Sequence, residues 1–484
     1  MAKEPFFTVE DIKASFNLFC CVCGVGTLGM PGNYARAGPV YATIAMVFMA
    51  FANIYSSIAM SKVMLLAPNS VKTFGDLGEW AMGRTGRWLC VVSQMASCLL
   101  IPCVFLVLGG GLLDGLFPGA FDPTVWSILM ATMVLPLCLV PTLEEGAGTA
   151  LAGCIGTLVA DAIGVAVVMH GMRGHPSIPK TDVTISQVAG TFGNLALSYG
   201  AGTIIPDLQR QHSDPHRMPR IITVTLVIIS ILFFMLSIAG YVSVGCQGAG
   251  NLLYTIYPDS ATGLTSLGFA PHWGAVVLAY LFMQLHTTTA FSVLLQPAFY
   301  MAECAVLGMH KKSPEDVESG LNYVEGASPA DEFAKQIGAK TPIAVDDNER
   351  HHDREVEAAE YRGANMIKYI AVRICIVVLL VVMAIVFQDH FSDFADFAGA
   401  SSLTTSCILL PIAFYVVKAW GTIPPVERVA AIVVFIVCFI FGCYSTYTAG
   451  KKLFAPSDSS VQFPYCEDEF KNTVYYNYTA VHES

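Results

Sequence analysis

Apolar runs of about 20 residues recur along the whole chain and are separated by shorter polar stretches. A helix of that length crosses roughly 30 Å of hydrocarbon, whereas membrane strands would alternate apolar and polar residues, a pattern that is absent here. With 54% hydrophobic residues, 13% charged residues and a mean hydropathy of +0.58, the 484-residue chain could not keep its apolar side chains off a water-exposed surface. The sequence therefore predicts an all-α integral membrane protein.

We predict about eleven transmembrane helices. They lie at about 12–37, 40–66, 88–113, 123–141, 147–169, 186–211, 220–245, 272–307, 365–388, 393–419 and 424–449. The first is not expected to be a cleaved signal peptide, because its flank has no clear positive excess and its apolar run is long and interrupted by glycine. Residues 1–450 then form a transmembrane domain, with a first repeat at about 12–169, a second at about 186–419 and an extra helix at 424–449.

The basic residues predict the orientation of these helices. With the N-terminus in the cytosol, 20 of the 26 Lys and Arg residues fall on the cytosolic side, as the positive-inside rule requires. The loop with Arg173 and Lys180 goes against the rule. An odd number of helices then puts the C-terminus outside, where Asn477 begins an N-glycosylation sequon.

Two hydrophilic segments flank the last helices. The segment 310–362 is an acidic, cytosolic loop insertion with few large apolar residues, so it cannot bury a core of its own. It is either a disordered insertion or a regulatory loop. Residues 451–484 form an outer tail. The net charge of −11 comes largely from such loops and tails, and it indicates no nucleic-acid partner.

Most of the 15 cysteines lie inside the predicted helices, where they act as small apolar residues. Cys246 and Cys466 fall on the outer side and could pair, but their separation in sequence carries no information about geometry.

The first and sixth predicted helices each contain a cluster of glycines with a proline nearby. Residues 23–32 hold four glycines and Pro31, and residues 198–206 hold two glycines and Pro206. Each Gly disfavours a helix by about 1 kcal/mol relative to Ala, and each Pro by about 3 kcal/mol. Unwound backbone is tolerated in a membrane only where it lines a cavity or contacts a ligand. The clusters therefore predict two broken helices, although close packing at glycine is the alternative.

Two breaks five helices apart are expected of inverted five-helix repeats, whose broken helices meet at the bilayer midplane. Half-helix N-termini favour a carboxylate, and freed carbonyl groups favour an ammonium group or a cation. We therefore expect a small amino-acid-like solute between the breaks, moved by alternating access. The residues expected to contact it are Gly24, Val25, Gly26, Thr27, Ser198, Tyr199, Gly200 and Gly202.

At these breaks the sequence resembles the amino acid/auxin permease family of the amino acid–polyamine–cation transporter superfamily. Residues 24–31, followed by Ala37 and Gly38, are similar to the family signature G-x-G-(I/L)-L-G-(L/M)-P with its following A-G. Further similar motifs follow in consistent order at 73–78 and 86–87, 198–202 and 206–209, 240–245, 251–253, 399–400 and 411. The resemblance implies a leucine-transporter-like 5+5 inverted repeat plus one helix, and amino acid transport coupled to an ion.

One departure from the family bears on the coupling ion. Sodium-coupled members commonly carry Asn four residues before the first motif glycine, where this chain has Cys20. Thiols are poor ligands for hard cations, so a proton is favoured over sodium as the coupling ion.

Ionisable residues deep in membrane helices are costly, and they suggest a function. Asp161 lies mid-way along the fifth helix, and His286 lies in the eighth beside Thr287. The resemblance implies that these helices flank the first helix near the coupling cation. Both groups could exchange a proton, and we predict Asp161 as the proton carrier with His286 as its partner or a second carrier. The alternatives are a sodium ion held by threonine hydroxyls such as Thr287, or hydrogen-bonded packing.

Four polar residues in the third and eighth helices are candidates for recognising the substrate side chain: Ser93, Gln94, Gln284 and Thr288. Each could equally bond a neighbouring helix. No catalytic or metal-binding motif is recognisable, so we expect no enzyme activity, cofactor or metal. A channel using the same broken helices is the rival class. Plasma and vacuolar or lysosomal membranes are both compatible with the sequence.

Overall fold

The structure is a computed structural model, which describes residues 6–68, 71, 73–140, 147–174, 180–309, 361–454 and 465–467. In this part of the chain the regular elements are helices, and the β-type pairing is a single bridge between Thr181 and Cys466. The α-helices are α1 (Val9–Val22), α2 (Val25–Leu66), α3 (Phe74–Leu116), α4 (Pro123–Cys138), α5 (Ala147–Gly171), α6 (Ile185–Ser198), α7 (Ile205–Gln211), α8 (Met218–Val244), α9 (Leu252–Thr255), α10 (Trp273–Ala302), α11 (Ala364–Phe387), α12 (Phe391–Ala398), α13 (Leu410–Ala419) and α14 (Pro425–Phe454).

Eight helical stretches in the described residues are long and apolar enough to cross a membrane. One of them is most of α2, whose 42 residues would extend roughly 63 Å as a straight helix, about twice the thickness of the hydrocarbon layer. The helix turns at Gly38, where φ is 70°, and Pro39 follows. The turn separates the first predicted membrane helix from the second. The predicted fourth helix corresponds to the 16-residue α4, and the predicted sixth helix is divided between α6 and α7.

Both broken helices begin with the same local signal. Thr8 precedes α1, and its hydroxyl accepts a hydrogen bond from the backbone N–H of Asp11, whose carboxylate accepts one from Thr8 in return. Thr184 and Gln187 form the equivalent reciprocal pair at the start of α6. Such capping boxes satisfy backbone donors that a helix start leaves free, so the sequence sets these two starts locally.

The outward faces of the long helices carry apolar side chains. Ile228, Ile231 and Met235 on α8, and Val433 and Ile436 on α14, are exposed in the isolated chain. Their spacing of three and four residues puts each set on one helix face. These faces suit contact with lipid, and the chain is a multi-pass membrane protein.

The helix before the last membrane helix is irregular. α12 continues directly into the π-helical segment Gly399–Leu409, which leads into α13. Single-turn π-bulges are the commoner form, and an 11-residue π segment widens the helix beside its neighbours. This π-helical segment packs against α6, α14 and the short segment Gly200–Thr203 that separates α6 from α7.

A disulfide joins the segments that contain Cys246 and Cys466, with their Cα atoms 5.2 Å apart. The sequence had left this pairing open, because 220 residues separate the two cysteines. Apart from residues 361 and 362, the predicted loop 310–362 lies outside the described residues, as does Asn477. The bounds of the two repeats stay a prediction.

Candidate functional site

The first break lies between α1 and α2, at Cys23 and Gly24. Cys23 is extended, and Gly24 has φ 112° and ψ −104°, which side chains of L residues rarely allow. The Thr27 hydroxyl donates to the Gly24 carbonyl oxygen at 3.0 Å and accepts from the Gly24 N–H at 3.3 Å. One side chain thus holds both backbone groups of the glycine that interrupts the helix.

The two breaks contact each other. A Cβ atom on Gly26 would lie 3.1 Å from Cβ of Ser198, so the start of α2 is packed against the end of α6. The Cys21 thiol lies 3.8 Å from the carbonyl oxygen of Gly200, at sulfur hydrogen-bonding distance. Further out, the Asn33 side-chain amide donates to Oδ1 of Asn194 at 3.0 Å. The paired breaks predicted from the glycine clusters are therefore neighbours in space.

The second break is a short 3-10 segment, Gly200–Thr203, between α6 and α7. The Gln94 amide on α3 donates to the Thr203 carbonyl oxygen at 3.2 Å, which ties the third helix to this break. A Cβ atom on Gly202 would lie 2.8 Å from Cβ of Cys407, in the π-helical segment. The break is therefore enclosed by α3 on one side and by residues 399–409 on another.

One face of α5 lies along the first break. Gly153, Thr157 and Asp161 follow one another at intervals of four residues, so they share this face. The Thr157 hydroxyl lies 3.5 Å from the Thr27 hydroxyl. Asp161 is 1% exposed and faces Thr27 and the Cys23 thiol, but neither of its oxygens makes a well-formed hydrogen bond with any described residue. A buried carboxyl group without a partner is costly, so Asp161 stays a candidate functional residue.

His286 on α10 packs directly onto the first break. Its Nδ1 donates to the Gly153 carbonyl oxygen at 3.0 Å, and its Nε2 would be 2.0 Å from a Cβ atom on Gly24. Nε2 has no hydrogen-bond partner among the described residues. His286 meets α5 at Gly153, two turns from Asp161, or roughly 12 Å along the axis. The two predicted proton carriers therefore both face the break, but they do not bond each other.

The other predicted polar residues point elsewhere or bond within their own helix. The hydroxyls of Thr287 and Thr288 donate to the carbonyl oxygens of Met283 and Gln284, four residues earlier. Ser93 likewise donates within α3, to Cys90, and the Gln284 amide contacts the Met130 sulfur on α4 at 2.8 Å. Of the four predicted side-chain contacts, Gln94 is the one that the structure brings to a break.

Sequence reasoning missed Thr157 and Ser97. Thr157 lies one turn before Asp161, so its spacing was a usable signal. Ser97 on α3 lies 3.0 Å from the Ser406 hydroxyl, and this contact joins α3 to the π-helical segment. No local signal in the sequence distinguishes Ser97 from other serines in the predicted helices.

Ion pairs lie near both ends of the first broken helix. Near the turn of α2, the Arg36 guanidinium lies 2.7 Å from the Asp396 carboxylate, and the Tyr465 ring lies under the same guanidinium. At the start of α1, Arg217 donates to Asp11 at 2.7 Å. Burial raises the pKa of Asp11, but Arg217 and the Thr8 backbone outweigh that effect and hold it at about 2.

His212 completes the cluster around Asp11. Its Nδ1 accepts from the backbone N–H of Asp214, so Nε2 carries a hydrogen and donates to Asp11 at 3.0 Å. The start of α1 is thus tied to the segment between α7 and α8.

Comparison with solved structures defines the class of the fold. The crystal structure of MhsT in complex with L-phenylalanine aligns with a TM-score of 0.57 at 10% identity, covering 90% of this chain and 98% of that chain. Together with the two broken helices, this likeness defines a leucine-transporter-like fold, as the sequence predicted.

The particular family follows from the sequence comparison. The protein-family model described as "Transmembrane amino acid transporter protein" matches residues 10–450 of the sequence. The chain therefore belongs to this family. The resemblance to the amino acid/auxin permeases is thereby confirmed.

Curated relatives are distant. Amino acid transporter AVT1I of Arabidopsis thaliana is 25% identical over 250 residues, which are 49% of this chain and 60% of that protein. Vacuolar amino acid transporter 7 of Saccharomyces cerevisiae is 22% identical over 268 residues, which are 52% of this chain and 53% of that protein. The chain thus spans a little over half the length of these two relatives.

Proposed function

We propose that this protein is a secondary active transporter that moves amino acids across a membrane by alternating access, driven by a proton gradient. The observation that carries the proposal is the contact between the two broken helices beside the buried, unpartnered carboxyl group of Asp161. The printed names of the relatives, which are amino acid transporters, support the same substrate class.

The substrate's α-carboxylate would bind at the N-terminus of α2, where the backbone N–H groups of Val25, Gly26 and Thr27 begin a new helix. Free N–H groups and the helix dipole favour an anion there. The α-ammonium group would bind backbone carbonyl oxygens where α1 and α6 end, around Ser198 and Tyr199. An amino acid zwitterion satisfies both sets of groups, as a simple cation or anion would not.

Asp161 is the proposed proton carrier. In its neutral form Asp161 avoids most of the desolvation cost that a charged group bears in a membrane. After it has released its proton on one side of the membrane, the ionised carboxylate can bind a new proton from the other side. The hydroxyl of Thr287 already donates within α10, and Cys20 lies buried against Gly153. Neither observation favours a sodium site.

The proposed orientation puts Cys246 and Cys466 on the outer side, and the disulfide between them supports it, because such bonds persist in oxidising compartments. The outer side would be extracellular or the lumen of a vacuole or lysosome. One relative is named a vacuolar transporter, which supports the latter. The acidic loop 310–362 is then a cytosolic insertion and Asn477 an outer glycosylation site, both as proposals.

Proteoliposomes containing the purified protein test the function. Uptake of a panel of radiolabelled amino acids is measured under an imposed proton gradient and, separately, under an imposed sodium gradient. We expect saturable uptake that follows the proton gradient. Uptake that follows sodium and ignores pH would contradict proton coupling, and unitary currents in planar bilayers would indicate a channel instead.

The Asp161→Asn variant tests the carrier. It keeps the shape of the side chain but cannot release a proton, so we expect counterflow exchange of substrate to persist while proton-driven accumulation is lost. Asp114→Asn, on the half-buried outer part of α3, is the matched acid-to-amide control and should keep both. Accumulation of substrate by Asp161→Asn on a proton gradient alone would refute the assignment.

A further inference from the structure

Thr27 lies between the first break and the carboxyl-bearing face of α5. It is fully buried, and its hydroxyl oxygen is within hydrogen-bonding reach of both backbone groups of Gly24 and of the Thr157 hydroxyl. Asp161, one turn beyond Thr157, faces the same hydroxyl. A single side chain therefore bonds the glycine that interrupts the helix and faces the proposed proton carrier.

The Thr27 hydroxyl can donate only one hydrogen bond at a time. A hydroxyl has one hydrogen to donate, and in this structure Thr27 donates it to the Gly24 carbonyl oxygen at 3.0 Å. An ionised Asp161 can only accept, and it has no well-formed partner among the described residues, so it would compete for this hydrogen. A neutral Asp161 can instead donate its own hydrogen to Oγ1 of Thr27, which leaves the bond to Gly24 in place.

We propose that Thr27 is the positioning residue that transmits the protonation state of Asp161 to the first break. This inference rests on the proposed function, in which Asp161 carries the coupling proton. With Asp161 neutral, Thr27 holds Gly24 in the conformation observed here. With Asp161 ionised, the hydroxyl turns toward the carboxylate, and the Gly24 carbonyl oxygen keeps only its bond from the backbone N–H of Leu28. The break then loses the side-chain contact that holds Gly24 in this conformation.

Other titratable groups lie near this face of α5. The Cys23 thiol of the break lies beside Asp161, and His286 of α10 meets α5 two turns away, at Gly153. Cys20 and Cys154 lie together near the level of Gly153. Among these described groups, Thr27 is the one with hydrogen bonds to both backbone atoms of Gly24, so it is the group that links Asp161 to the glycine.

The test compares Thr27→Val with Thr27→Ser in proteoliposomes. Valine has the same shape but no hydroxyl, and serine keeps the hydroxyl. For each variant the readout is the ratio of proton-driven accumulation to counterflow exchange, so a general loss of activity cancels. We expect the ratio to fall about tenfold in Thr27→Val, the size expected for losing one hydrogen bond to a charged group, and to lose its dependence on external pH. Thr27→Ser should retain the wild-type ratio and pH profile.

A spectroscopic measurement covers the case in which Thr27→Val gives too little transport to measure. The infrared C=O band of protonated Asp161 is identified by its absence from Asp161→Asn, and it is followed as pH changes. Loss of the hydrogen bond to Thr27 should move this band to higher frequency in Thr27→Val and leave it unmoved in Thr27→Ser. An unshifted band in the valine variant would refute the contact.

The outcomes separate this inference from the proposed function. Wild-type uptake without any response to pH would overturn proton coupling, and the role of Thr27 with it. Proton-driven wild-type uptake combined with an unchanged ratio and pH profile in Thr27→Val would overturn the role of Thr27 alone. A parallel loss of exchange and accumulation in Thr27→Val, with the ratio unchanged, would assign Thr27 a merely structural role.

Discussion

Replacing Gly24 by Ala should strongly destabilise the protein, for two separate reasons. Its backbone, at φ 112° and ψ −104°, is one that residues with a side chain adopt at a cost of about 1–3 kcal/mol. The added methyl carbon would also lie 2.0 Å from Nε2 and 2.5 Å from Cδ2 of His286. The ring cannot move away freely, because its Nδ1 is bonded to the Gly153 carbonyl oxygen. Such overpacking costs about 1–3 kcal/mol, so the total is roughly 2–6 kcal/mol.

A double-mutant cycle separates the two contributions. His286→Ala removes the atoms that the methyl group would meet, but it leaves the backbone strain unchanged. In that background Gly24→Ala should cost only about 1–3 kcal/mol, so the interaction between the two substitutions is about 1–3 kcal/mol. Thermal unfolding in detergent, followed by intrinsic fluorescence, measures the differences. For a chain of this length roughly 1 °C of shift corresponds to 1 kcal/mol.

Gly148→Ala is the matched control. Gly148 lies in the first turn of α5 with open space around its Cα atom, so alanine there should be neutral or slightly stabilising. Equal losses from Gly24→Ala in the wild-type and His286→Ala backgrounds would refute the contact with His286. An unaffected Gly24→Ala protein would refute the conformation of the break as well.

Two further predictions concern the ends of the molecule. The pKa of Asp11 is raised by burial but lowered more strongly by Arg217, and it lies at about 2 instead of 3.8. Ionised Asp11 therefore stabilises the fold by about 2 kcal/mol above about pH 4, a contribution that is lost toward pH 2. The gap in unfolding temperature between wild type and Asp11→Asn should be constant from about pH 8 to 5 and narrow below about pH 4, whereas a gap that widens in acid would contradict the ion pair. Cys466→Ser removes the bond to Cys246 and should lower stability by about 2–4 kcal/mol; a reductant should bring the wild type to the same unfolding temperature without changing the variant, and an equal effect on both would point to another cause.

The membrane helices and the two breaks could be predicted from the sequence, because both depend on the properties of short segments. A run of about 20 apolar residues has one stable arrangement in a bilayer, so each run predicts a helix and its approximate place in the chain. The glycines around Gly26 and Gly202 weaken the helix wherever they lie in space. Their matching positions in two halves of the chain were enough to predict that the breaks meet.

Which side chains reach the breaks was decided by the tertiary structure. In a membrane helix the faces toward lipid and toward neighbouring helices are both apolar, so hydrophobic periodicity does not reveal how the helix is rotated. Gln94 and Thr288 were therefore equal candidates, and only the packing of α3 and α10 separates them.

The pairing of Cys246 with Cys466, and the contact between His286 and Gly24, depend on segments that are hundreds of residues apart in the chain. Apolar lengths and glycine clusters act within a few turns of helix, so the sequence alone determines the spans and the breaks. Distances between such remote groups arise only when all the helices are packed together, so the tertiary structure alone decides which hydroxyl, imidazole or carboxyl group faces a break.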